Sequence, residues 1–355
     1  MPLAVIAAMA LVLSAPFMGQ LRAWLGEVFQ GSFVTFMTGA IGAAVAAVAI
    51  AAIARIRVRR LARFATIGLA LGIAAVYSRA MSTGWPEVDI VERVHFVEYG
   101  VITFLFYRAW RPAADVSVIV LPILAGIVVG TLEEWFQWFI PNRVGELRDV
   151  ALNLVAVVCG LMISAAIAPP DRVTMSLSPA SRRRVAIAAA CVIASVAFFV
   201  DQIHRGHEVA ADGLTFRSHH TAPELGALAA DRTARWKTDP PIVLRRLSRE
   251  DQYMDEGLWH VRRRNQRFDD GDLAGAWQEN RILETYFAPL LDTPSYYSAT
   301  GHRWPEAQRD QARRAPAGAY RSDAEPYPIV LVPRWVLWLT AVAATAAVGI
   351  LVRPG

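Results

Sequence analysis

The chain has 355 residues, 55% of them hydrophobic, and a mean hydropathy of +0.33, too apolar for one water-soluble globule of this size. Its net charge of +5 comes almost wholly from arginines set beside long apolar runs, a mark of membrane topology that argues against nucleic-acid binding. Both cysteines lie inside apolar runs, so the long hydrophilic stretch has none to form a disulfide, and Cys159 and Cys191 are expected to be buried packing residues.

The apolar runs are about 15–25 residues long, the length a helix needs to cross the hydrocarbon layer. In chain order they cover residues 3–17, 33–54, 61–77, 90–110, 116–140, 150–167, 185–200 and 335–352. The first is read as a retained span rather than a signal peptide, because Met1-Pro2-Leu3 offers no positive n-region. The fold class expected is all-α: a polytopic transmembrane helix bundle of about eight spans with a small extracytoplasmic helical domain. The division is residues 1–80 for the first helices, 89–168 for a central core, 185–200 for a further span, 201–327 for the hydrophilic domain and 335–352 for a last span.

Arginines give the bundle its sign. Arg55, Arg57, Arg59, Arg60 and Arg63 lie between the second and third runs, and Arg182, Arg183 and Arg184 between the sixth and seventh. Positive-inside bias makes both loops cytoplasmic, with Arg108 and Arg111 on the same side. The loops near Trp85 and Asn142, and segment 201–327, then face outward.

Within that segment two amphipathic helices stand out. The first, expected to be capped at Ser248 with Asp251 three residues on, carries Met254, Leu258, Val261 and Phe268 on one stripe. The second starts at Asp272 and carries Leu273, Ala276, Trp277, Leu283, Phe287 and Leu290. Asp269-Asp270-Gly271 forms the turn of an αα-hairpin. Arg262-Arg263-Arg264 reads as a solvated helix face. His204, His207, His219 and His220 have no accompanying Cys and no known ligand spacing, so no metal site and no cofactor are expected.

Ionisable groups are costly inside a membrane, and here they gather in three consecutive spans. Glu92, His95 and Tyr99 share one helix face by three- and four-residue spacing, with Glu98 one residue off it. Glu133, Glu134 and Gln137 end the next span, and Asp149 and Asn153 open the one after it. The connecting loop holds Pro141, Arg143, Glu146 and Arg148.

At these residues the chain resembles the VanZ-like family of membrane proteins. Residues 92–100, Glu-Arg-Val-His-Phe-Val-Glu-Tyr-Gly, resemble the family's acidic, His-Phe and Tyr span, and Glu133-Glu134-Trp135-Phe136-Gln137 its paired acids followed by Gln. Pro141-Asn142-Arg143 resembles its Pro-Gly-Arg loop and Asp149-Val150-Ala151-Leu152-Asn153 its Asp-x-x-x-Asn helix start. Asn142 stands where the family usually has Gly, and Ala156 where a Gly often follows the Asn. The resemblance covers about residues 89–160. It implies a multi-pass protein of the bacterial inner membrane, in envelope homeostasis or response to glycopeptide antibiotics, and it implies no reaction.

Three readings of the polar set follow. In the first, Arg143, Glu92, Tyr99, Glu133, Gln137 and Asn153 bind a membrane lipid or lipid-linked envelope molecule from the outer leaflet. In the second, Glu134, His95 and Asp149 form an acid–base set acting on such a lipid. In the third, the groups only join the helices by hydrogen bonds, and segment 201–327 serves as a scaffold for another envelope protein.

Overall fold

The computed structural model describes all residues except 30, 83, 85, 139–144, 238–248, 296–297, 317 and 352–355. The chain is mostly helical and divides into two compact units. Residues 1–137, 145–198 and 338–355 form the first; residues 138–144 and 199–337 form the second.

The first unit contains α1 (Pro2–Phe29), α2 (Phe33–Arg55), α3 (Arg60–Ala80), α4 (Pro86–Trp110), α5 (Ser117–Gln137), α6 (Leu147–Ile167), α7 (Pro179–Phe199) and most of α13 (Arg334–Leu351). Among the described residues, six helices are long and apolar enough to cross a membrane: α2, α3, α5, α6, α7 with its continuation to His204, and α13. The other two expected runs behave differently. The apolar part of α1, Pro2–Ala15, is shorter than a full span, and α4 carries Glu92, Arg93 and Glu98 within its apolar stretch. Cys159 is buried as expected, whereas Cys191 is exposed on α7, which corrects the expectation of a buried packing residue.

Helix α6 is the centre of this unit, packing against α3, α4 and α5. Small residues permit the close approach. A Cβ added at Gly160 would lie 2.8 Å from the Gly100 backbone of α4, so the two helices meet glycine on glycine. Gly126 of α5 receives Val157 in the same way. At the end where α4 turns into α5, buried Asp115 caps α5 by accepting from Ser117 N at 3.0 Å, and it also accepts from Ser178 N at 3.1 Å. Burial pushes the Asp115 carboxyl up, but hydrogen bonds from Ser117, Ser178 and Ser181 outweigh it and hold the group well below the usual carboxylate range.

The second unit contains β1 (His207–Ala211), β2 (Leu214–Ser218), α8 (Ala222–Trp236), α9 (Arg249–Asp269), α10 (Leu273–Tyr286), α11 (Ala288–Asp292), α12 (Glu306–Arg313) and β3 (Tyr320–Arg321). Residues 201–327, expected to be mostly helical, also hold a three-stranded sheet in the order β1-β2-β3, which the all-α fold class did not include. β1 and β2 pair antiparallel around Asp212-Gly213, both with positive φ, as a two-residue hairpin turn requires; β3 joins β2 in parallel. Helices α9 and α10 pack as a hairpin, and Met254, Leu258 and Val261 meet Leu283, Phe287 and Leu290 in one core with Phe216 of β2. Asp272 caps α10, accepting from Gly275 N at 2.9 Å. Ser248, the expected cap of α9, lies outside the described residues.

A buried carboxylate locks this unit. Glu279 of α10 accepts from Tyr320 Oη at 2.6 Å and Ser322 Oγ at 2.6 Å, and pairs with His260 Nδ1 of α9 at 2.7 Å. Burial alone would raise its pKa, but the His260 ring and the hydroxyl donors lower it below the usual glutamate value. The arginine run of α9 is not uniformly solvated. Arg264 is buried with its guanidinium 4.7 Å from the Trp304 ring, and donates to His302 O at 2.9 Å. Desolvation lowers its pKa to about 10.

Candidate functional site

Helices α4, α5 and α6 bring most of the expected polar residues to one end of the first unit. Tyr99, Glu133, Glu134, Gln137 and Asn153 are all buried. Tyr99 Oη of α4 donates to Glu133 Oε2 of α5 at 2.5 Å. Gln137 Nε2, one turn on, donates to Glu134 Oε1 at 3.0 Å and lies 3.5 Å from Glu133 Oε1. The Glu146 N–H at the entrance of α6 donates to Glu134 Oε2 at 3.2 Å, so Glu134 ties the end of α5 to the start of α6.

Asn153 is set differently. It is 1% exposed, and neither its Nδ2 nor its Oδ1 has a hydrogen-bond partner among the described residues. The amide lies over Gly130: a Cβ built on that glycine would be 3.3 Å from Asn153 Nδ2 and 3.4 Å from Tyr99 Oη. The glycine thus leaves room where the Asn153 amide, the Tyr99 phenol and the Glu133 carboxyl converge. Buried polar groups are nearly always satisfied, because leaving one unpaired costs about 1–3 kcal/mol. An amide with both ends unpaired is adapted to a group that supplies a donor and an acceptor.

At the rim, Arg148 donates to Met81 O at 2.7 Å and lies 3.4 Å from Glu92 Oε1. Ser82 donates to the buried Asp89 carboxyl. Burial pushes the Glu146 carboxyl up, Asp149 and Glu92 add to the rise, and Arg148 opposes it. The rim is therefore acid-rich, and its charge is balanced in part by Arg148. Arg143 lies outside the described residues.

Some neighbours of the three residues expected to form an acid–base set are defined. His95 Nδ1 lies 3.8 Å from Glu98 Oε2, Glu134 is engaged by Gln137 and Glu146 N, and Asp149 acts on Glu146 at the rim. Comparisons with protein-family models, with curated proteins and with solved structures returned no match. Two contributors escaped the sequence reading, Gly130 and Arg148's contact with Glu92. Gly126, Gly130, Glu133 or Glu134 and Gln137 follow each other at three- and four-residue spacing, so extending the polar face of α5 back by two turns finds the glycines.

Proposed function

We propose that this chain is a VanZ-like protein of the bacterial inner membrane that crosses it about eight times and holds residues 201–327 on the extracytoplasmic side. In this reading it serves envelope homeostasis or the response to glycopeptide antibiotics by binding the polar end of an amphipathic or lipid-linked envelope molecule at the α4–α6 cluster. The single observation that carries the binding reading over pure packing is Asn153, a buried amide with both ends unpaired among the described residues, beside the Tyr99–Glu133 pair. A cluster serving only to join helices gains nothing from such a group, since an apolar side chain of equal size would pack there at lower cost. The outward orientation rests on the arginines: Arg55 to Arg63 lie at the α2–α3 turn, and Arg182 to Arg184 at the start of α7. The polar cluster lies at the other end of α6, near its N-terminus.

A strain lacking the protein, complemented with wild type, Asn153→Leu or Glu133→Gln, tests the reading through glycopeptide sensitivity and an envelope-stress reporter. Wild type restores the parental response, while both variants reach the membrane at normal level and do not. Full complementation by both variants would leave the packing reading in its place.

A further inference from the structure

The turn between α2 and α3 concentrates positive charge that no described residue neutralises. Arg55, Arg57, Arg59 and Arg60 are exposed and Arg63 is half-buried. Among the described residues none of the five makes an ion pair or a side-chain hydrogen bond. No Asp or Glu occurs between Glu27 and Glu87. The first turn of α3 carries Arg60 and Arg63 and no acid, so the helix dipole adds to the positive potential instead of relieving it.

Apolar side chains interleave with the arginines. Val58 is 65% exposed and Leu61 86%, while Ile56, two residues before Val58, is buried with Ala52, Ile67 and Ala166. Arg59 has φ 51, a left-handed conformation that non-glycine residues seldom adopt, and it sets the reversal between the two helices. The turn is thus anchored through Ile56, with cationic and apolar groups alternating on its free surface. That composition suits the boundary between phosphate headgroups and acyl chains.

We propose that the α2–α3 turn is a docking surface for anionic phospholipid headgroups, with the arginines engaging the phosphates and Val58 and Leu61 entering the acyl layer. The surface is separate from the α4–α6 cluster. Ile56 packs on Ala166, and Asn153 is 13 residues earlier in α6, about 20 Å away at 1.5 Å per residue. The inference does not rest on the function proposed above.

The test is a titration of the purified full chain, in a neutral detergent, with cardiolipin, phosphatidylcholine or inorganic phosphate, read by native mass spectrometry. Each arginine near an anionic surface is worth about five-fold in affinity, so Arg57→Gln, Arg59→Gln and Arg60→Gln together are expected to weaken cardiolipin binding about 100-fold. Phosphatidylcholine binds wild type and the triple variant equally weakly, and millimolar phosphate does not displace cardiolipin. If the triple variant fails to fold, wild-type cardiolipin affinity is measured against salt and is expected to fall as ionic strength rises. Equal cardiolipin affinity in wild type and variant overturns the proposal, as does tight phosphatidylcholine binding or a salt-independent affinity. Displacement by phosphate alone would overturn it too, assigning the surface to a free anion.

Discussion

Asn153→Leu separates a binding site from a packing contact, because the two predict opposite signs. Among the described residues both amide atoms are buried without hydrogen-bond partners, and each such group costs about 1–3 kcal/mol. Leucine has the same branched shape and heavy-atom count, a larger volume and no polar atom. Part of the gain is lost where the new branch crowds Gly130, whose built Cβ already lies 3.1 Å from Asn153 Cβ, a repacking cost of about 1–2 kcal/mol. The net expectation is a stabilisation of about 2 kcal/mol, or roughly 4–8 °C for a unit of this size. The assay is thermal unfolding of delipidated full chain in detergent, repeated after adding lipid extract. Ligand at 100 times its Kd adds about 2.7 kcal/mol to the binding-competent form only, so wild type overtakes the variant once lipid is present. A variant that melts lower than wild type without lipid would refute the reasoning, since it would mean that the amide is satisfied in the empty protein.

Three further expectations concern the scaffold. Glu279→Gln removes the charge that accepts from Tyr320 and Ser322 and pairs with His260. It should cost about 2 kcal/mol in unfolding of the second unit, and a loss below about 0.5 kcal/mol would show the lock to be unimportant. Because the folded pKa of Glu279 is depressed, its contribution is complete above the unfolded value near 4.5 and fades as pH falls through the lower folded value. Wild type should thus lose this increment on acidification, while the Gln variant shows a flatter profile. Gly160→Ala sets a methyl 2.8 Å from the Gly100 backbone, which cannot rotate away, and should lower stability by about 1–3 kcal/mol. Gly68→Ala, with nothing within 4 Å, should be neutral or stabilise by up to about 1 kcal/mol, and equal melting of the two variants would contradict the glycine contact.

The polar cluster was legible in the sequence because membrane-embedded ionisable groups are rare and three- or four-residue spacing assigns them to one helix face. Spacing sets Tyr99 with Glu92 and His95 on one helix and Gln137 with Glu133 or Glu134 on the next, and the fold joins Tyr99 to Glu133 and Gln137 to Glu134. The specific partners were not legible, since spacing fixes a face but not the rotation of one helix against another. The 3.8 Å approach of His95 Nδ1 to Glu98 Oε2, three residues on in the same helix, is one such partner. The glycine seams were missed for a related reason: Gly100, Gly126, Gly130 and Gly160 are ordinary residues in apolar helices until the crossing is known. The β1–β2 hairpin is a different case. Asp212-Gly213 between His207–Ala211 and Leu214–Ser218 is a strong local turn signal, but the flanking strands are only five residues each and lie in a segment rich in helices. Arg264 reads as solvated by composition, and only the placement of Trp304, from 40 residues further on, buries it.

The most direct test of the account is whether the α4–α6 cluster retains a molecule from its own membrane. Full-length protein extracted gently from cells is examined by native mass spectrometry, with the mass of any retained adduct identified after release. With the extracted protein washed at high salt to strip headgroups from the α2–α3 turn, the account predicts one amphipathic adduct per chain on wild type, retained by Arg57→Gln and greatly reduced on Asn153→Leu and Glu133→Gln. Wild-type protein free of adduct, or the same adduct on Asn153→Leu as on wild type, would contradict it.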